Sequence, residues 1–250
     1  MKRALLLGAL GLLALLAGLA WRLPAATAVG WLPAERLPEL YGLSGRVSSG
    51  QLSSLRHGRV TVGPLDWELS PWSLLWLHPS ADLSIEKPVL ARGRATVSPT
   101  GRLRLADWQA TATVKDLLAA VGYPFIPLAG AAGLQLDSLQ LQGQRPSGIH
   151  GRLELRNLVW AMGSQRLPVG DVEAVLAPED GIETAQIRDL GGPLEVIGTA
   201  RLEADGRYEL NLRVKARAEA DPRLANLMRG LGRPDKQAYY PIRYSGQLAP

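Results

Sequence analysis

The 250-residue chain is 46% hydrophobic and 20% charged, the balance of a polypeptide that buries a core, and this excludes a disordered chain. It contains no cysteine, which rules out disulfides, thiolate zinc sites and a cysteine nucleophile. The formal charge of +5 comes from Arg and Lys scattered singly rather than gathered in runs, so no nucleic acid is expected as a partner.

Met1, Lys2 and Arg3 precede an uninterrupted apolar run from Ala4 to Trp21, eighteen residues with nine leucines, closed by Arg22. As a helix rising 1.5 Å per residue the run spans about 27 Å, close to the roughly 30 Å of a bilayer core. Residues 1–23 therefore read as a transmembrane anchor, with Lys2 and Arg3 cytoplasmic, Trp21 at the interface and Arg22 able to snorkel. The expected location is the cell inner membrane, single-pass, with the N-terminus cytoplasmic and the C-terminal domain periplasmic. Ala26-Thr27-Ala28 has the small-x-small form that signal peptidase accepts, so cleavage after Ala28 is the competing reading; the run is longer than a usual signal-peptide core. Either way the remainder of the chain is exported. Residues 24–41 read as a linker.

Beyond it, 27 Gly and 18 Pro punctuate strand-favouring residues, which predicts a mainly β, antiparallel domain of many short strands with a few short helices. Ser70 and Pro71 open a short helix over Trp72–Leu77, and a second helix-like stretch covers Lys115–Val121. Leu134, Leu136, Leu139 and Leu141 alternate with polar residues, but Asp137-Ser138 breaks period two and predicts a bulge or turn. Between Gly198 and Val214 the alternation is clean on both sides of Ala204-Asp205-Gly206, the pattern of a hairpin. Asp221 and Pro222 start a helix running to Leu231 and ended by Gly232. These strands have one apolar face, which a second sheet, the short helices or an acyl-like ligand must cover. Trp67, Trp72, Trp76, Trp108 and Trp160 read as core and interface packing.

Laid against itself at a shift of 105 to 107 residues, the chain matches four times in order. Gly42–Val47 meets Gly148–Leu153, Arg59–Gly63 meets Arg166–Gly170, Gly93–Val97 meets Gly198–Leu202, and Gly101-Arg102 meets Gly206-Arg207. This predicts two similar β-rich units, residues 42–145 and 146–250.

The search for chemistry yields no candidate catalytic, cofactor-binding or metal-binding residue. His57, His78 and His150 are isolated from one another, and no nucleophile elbow, Walker A loop or dinucleotide-binding turn is present. Glu179-Asp180 and the pair Glu183 and Asp189 lie near turns, where carboxylates are ordinarily solvated. A non-enzymatic protein without cofactor or small-molecule substrate is expected.

The series Leu190-Gly191-Gly192-Pro193-Leu194, Gly198, Leu202, Asp205-Gly206-Arg207-Tyr208, Leu224 to Gly232 and Tyr244–Leu248 resembles the type II secretion system protein N family. Leu43–Gly50, the Ser70–Leu75 helix start, and Leu134–Leu141 followed by Gly148–Leu153 extend the resemblance over nearly the whole chain, including the membrane anchor. Departures are Ser48, where the family often carries Trp, and the region of Ala238, where it often carries Gly. The resemblance implies an accessory structural component of the machinery that exports folded proteins across the outer membrane. The partners it implies are other secretion components and inner-membrane lipid, and it implies no catalytic residues. A one-face-apolar sheet on a single anchor also resembles periplasmic lipid-handling proteins of the AsmA type, whose curved sheet shelters acyl chains. The feature that separates the two is whether the apolar face is covered by the protein's own helices or left as an open trough.

Overall fold

The computed structural model of the chain describes residues 22–31, 39–57, 60–75, 78–120, 122–143, 145–162 and 165–247. Among the described residues no helix is long and apolar enough to cross a membrane; the apolar run 4–21 lies outside them, as do 32–38 of the expected linker, Trp76, Val121 and the side chain of His57. The described chain is mainly antiparallel β with a few short helices, as the Gly and Pro spacing predicts, and packing divides it at Thr100/Gly101.

The first unit begins with helix α1 (Ala25–Val29) and continues through β1 (Glu39–Gly45), β2 (Ser49–His57), β3 (Val60–Val62) and β4 (Leu65–Leu69). Helix α2 (Pro71–Leu75), β5 (Ser80–Ile85) and β6 (Leu90–Val97) complete it. Its strands are ordered β1-β2-β4-β5-β6, with β3 pairing only β2. Trp67 on β4 lies across Gly50 of β2 and donates its indole N–H to Val47 O at 3.1 Å, fastening the turn between β1 and β2. Trp72 on α2 departs from the expectation of packing: it is 72% exposed.

The second unit is a meander in sequence order, β7 (Leu103–Thr113), β8 (Leu128–Gln142), β9 (Arg145–Met162), β10 (Gln165–Glu179), β11 (Ile182–Asp189), β12 (Leu194–Leu202), β13 (Arg207–Ala216) and β14 (Tyr240–Gln247). Helix α3 (Val114–Ala120) follows β7, and α4 (Pro222–Arg229) follows β13. Position 145/146, where the internal match places a boundary, is the start of β9 in its hairpin with β8. In the matched pairs Gly42 and Gly148, Gly63 and Gly170, and Gly101 and Gly206, both glycines have left-handed φ; Gly45 is left-handed and its counterpart Gly151 is not.

Local chemistry accounts for the elements. The register of β8 against β9 shifts between Leu136 and Gln140, which is the bulge that Asp137-Ser138 predicts. The β12–β13 hairpin closes by Glu203 N to Arg207 O at 2.8 Å, with the Asp205 carboxylate accepting from Arg207 N at 3.0 Å. Asp221 caps α4 by accepting from Arg223 N at 2.8 Å, behind Pro222 at the first helical position. The helix stops at Arg229, two residues before the expected Leu231, because Gly230 and Leu231 form a closing turn ahead of left-handed Gly232.

Candidate functional site

Side chains alternate along a strand, so contacts with the helices settle which face each residue occupies. Leu224 and Met228 of α4 are buried with Leu167 of β10, Leu194 and Val196 of β12 and Val214 of β13. Val114 of α3 is buried with Ala132 of β8 and Leu158 of β9, and Leu117 and Leu118 pack beside it. Val169 and Val172 of β10 touch both clusters, so the two helices cover the same face.

That coverage is partial. Continuing along the same face by the antiparallel registers, Leu176 of β10 stands opposite Ala185 of β11, which stands opposite Ala200 of β12, which stands opposite Leu210 of β13. Together with Ile149, Leu202 and Tyr208 these residues line an open trough of about 260 Å³ beyond the helices. The apolar face is thus closed at one end of its strands by α3 and α4 and left open toward the other.

A strap crosses it. Tyr123, in the segment joining α3 to β8, meets the Tyr244 hydroxyl at 2.5 Å, and the ring of Tyr244 lies 5.9 Å from that of Tyr208, which lines the trough. The hydrogen bonds from Tyr123 and Tyr208 hold the Tyr244 pKa below the ordinary tyrosine value. Phe125 in the same segment packs edge-on against Tyr123 and remains 74% exposed.

The opposite face is charged. Glu173 on β10 is 2% exposed, with Arg152 of β9 at 2.7 Å on one carboxylate oxygen and Arg188 of β11 at 2.6 Å on the other. A pairing residue of opposite charge directly across each neighbouring strand would have betrayed this site, but register is not readable from one sequence; Arg188 is directly opposite and Arg152 is diagonal. Glu183 and Asp189 depart from the expectation of solvated carboxylates. Glu183 accepts from Gly148 N at 2.7 Å and Ile149 N at 2.9 Å, and Asp189 accepts from Arg217 at 2.7 Å, Gly191 N at 3.0 Å and Val196 N at 3.2 Å. Both carboxylates are committed to holding backbone, and 35 residues of chain separate Glu183 from the amide it holds. No group of three or more His, Asp or Glu side chains suited to a metal ion occurs among the described residues.

The model of the family described as "Type II secretion system (T2SS), protein N" matches residues 39–243, which takes in every strand just described except the last residues of β14. The chain belongs to this family. Two curated relatives, each called type II secretion system protein N, span it end to end. The one from Aeromonas hydrophila is 28% identical over 99% of this chain and 100% of its own length; the one from Vibrio cholerae serotype O1 is 26% identical over the same shares. No solved structure matches the chain. Ala238 has a φ of +64°, in the left-handed region that glycine adopts most readily. The tight turn there is held by Asp235, which accepts from Gln237 N and Tyr239 N at 2.9 Å each.

Proposed function

We propose that this chain is a non-enzymatic, accessory structural component of the type II secretion system, held in the inner membrane by the run 4–21 with its β domain in the periplasm. There it supports export of folded proteins across the outer membrane by contacting other secretion components. The observation that carries the reading is the family match over residues 39–243, reinforced by relatives of that one designation that align along their full length. The commitment of Glu183 and Asp189 to backbone amides and to Arg217 supports a structural role for these two carboxylates. Deleting the chain in its own host should lower the amount of secreted folded protein outside the cell, with that protein accumulating behind the outer membrane. Crosslinking of intact cells should capture other secretion components. Unchanged secretion together with an absence of such crosslinks would overturn the proposal.

A second reading is favoured by the open trough: a lipid-handling protein that shelters an acyl chain along Ile149, Leu176, Ala200, Leu202 and Leu210. Native mass spectrometry of the protein taken gently from its membrane separates the two. Stoichiometric lipid that is lost in Ala200→Trp, which fills the trough, selects lipid handling. Secretion components without lipid select the scaffold.

A further inference from the structure

The apolar run ends at Trp21, and the described chain takes hold of the first unit almost at once. Leu23 O accepts from Val47 N at 2.9 Å, and Pro24 forms an antiparallel bridge with Arg46. Ala25, the first residue of α1, is 4% exposed. The turn they join is itself fixed from the other side: Arg46 N donates to Ser49 O at 2.8 Å, Leu69 N to Ser48 O at 2.7 Å, and the Trp67 indole to Val47 O at 3.1 Å. From Trp21 to Leu23 an extended chain reaches at most about 7 Å. No flexible tether separates the end of the apolar run from the sheet.

What this end of the unit displays is specific. Leu69, bonded to Ser48, is the last residue of β4, and α2 begins two residues later with Trp72 72% exposed. Val97, the last residue of β6, is 43% exposed, and its amide donates to Pro79 O at 2.9 Å beside the start of β5. Arg22 and Arg46 are both exposed, and Glu68 lies one residue further in. A solvent-facing indole is costly in water and favourable at a headgroup layer, where it is apolar on its faces and wet at its N–H. Arginines beside it suit anionic headgroups. The opposite end of the same strands, the β5–β6 turn with Glu86 and Lys87, carries no exposed Trp and lies about 20 Å away along β5.

We propose that this end of the first unit, formed by Arg22, Arg46, Trp72 and Val97, is seated on the headgroup layer of an anionic phospholipid bilayer. The sheet then stands on the membrane instead of swinging from it, which fixes the direction in which its strands project. The inference rests on the anchored reading of the run 4–21.

The chain has no cysteine, so single-cysteine variants report cleanly. Trp72→Cys and Arg46→Cys mark the proposed surface, Lys87→Cys the opposite end, and Leu13→Cys the apolar run. Each full-length variant is spin-labelled in vesicles of phosphatidylethanolamine and phosphatidylglycerol, and its collisions with oxygen and with a water-soluble nickel chelate are compared. The expected result places the label at 13 in hydrocarbon, those at 72 and 46 at headgroup depth, and that at 87 in water. Labels at 72 and 46 as open to nickel as 87, with 13 still in hydrocarbon, overturn the seated surface and leave the anchor standing. A label at 13 open to nickel overturns the anchored reading, and the surface assignment with it. Arg46, Trp72 and Lys87 are exposed, and circular dichroism confirms that each variant is folded before its label is read.

Discussion

The Ile149 amide donates to the Glu183 carboxylate at 2.9 Å, and the neighbouring Gly148 amide donates to the same group at 2.7 Å. The two amides belong to the bulge of β9 against β8, and β10 gives them no ladder partner because its register with β9 ends at the pair Leu176 and Gly151. Glu183, from β11 and lining the trough, therefore holds this stretch of β9 where the two strands part. Glu183→Ala leaves two part-buried donors unpaired and should cost about 2 kcal/mol, while Glu183→Gln, which keeps one acceptor, should cost roughly 1 kcal/mol. Urea unfolding measures both, and equal stability of all three proteins would remove Glu183 from this role.

Glu173 makes a different prediction, because its arginines and its carboxylate are buried unequally. Arg152 and Arg188 have side chains 50% and 64% exposed, against 2% for Glu173. Removing both arginines strands a buried charge and should cost about 3–5 kcal/mol. Replacing Glu173 by Leu releases two arginines that water already reaches, and should cost no more than about 1 kcal/mol. The order of the two urea midpoints is the test; the reverse order would mean that the carboxylate is solvated in the folded protein.

The same contrast explains what was legible in the sequence. Alternation and turn chemistry are local, so the β12–β13 hairpin, the bulge at Asp137-Ser138 and the Asp221 cap of α4 could all be read from neighbouring residues. The roles of Glu173, Glu183 and Asp189 depend on which strands lie side by side and in what register, a relationship between residues 15 to 35 positions apart. Trp72 failed as a packing residue for a related reason: composition marks an indole as buried, and only the placement of α2 at the end of β4 leaves it outside. The partial cover of the apolar face was likewise beyond reach, since it depends on how far along the strands α3 and α4 extend.

Asp189 gives a pH dependence. Burial pushes its carboxyl up, but the hydrogen bonds from Arg217 and from the Val196 and Gly191 amides outweigh that, and its pKa falls below the usual carboxylate value. A depressed folded pKa contributes stability that is fully present above the unfolded value of about 3.9 and lost as pH falls through the lower folded value. Asp235, lowered by the Tyr239 amide against burial, and further by the Gln237 amide and Arg213, acts with the same sign. Asp189→Asn should be less stable than the parent at pH 7, and the difference should shrink as the pH falls below about 3.9, while Asp235, common to both proteins, gives each the same residual slope. A difference that is constant from pH 7 to the acid limit would show that ionisation of Asp189 is not what stabilises the fold.

The junction between the apolar run and the sheet depends on Gly50. A Cβ there would lie 2.4 Å from Cζ2 of Trp67 and 2.5 Å from the Ser44 carbonyl oxygen, so the indole can lie across β2 only because the position is bare. The carbonyl it meets is backbone paired in the β1–β2 ladder, which cannot retreat without breaking the register of Gly45 opposite Gly50. Gly50→Ala should therefore displace Trp67, release the bond from its indole to Val47 and cost about 3 kcal/mol, near the upper end of overpacking. Trp67→Phe loses the hydrogen bond and the outer part of the indole that lies over Gly50, for about 2 kcal/mol. Hydrogen exchange reads the consequence directly: the Val47 amide, which donates to Leu23, should exchange faster in both variants and fastest in Gly50→Ala. Unchanged protection at Val47 in Gly50→Ala would mean that the turn holds the start of the chain without help from Trp67.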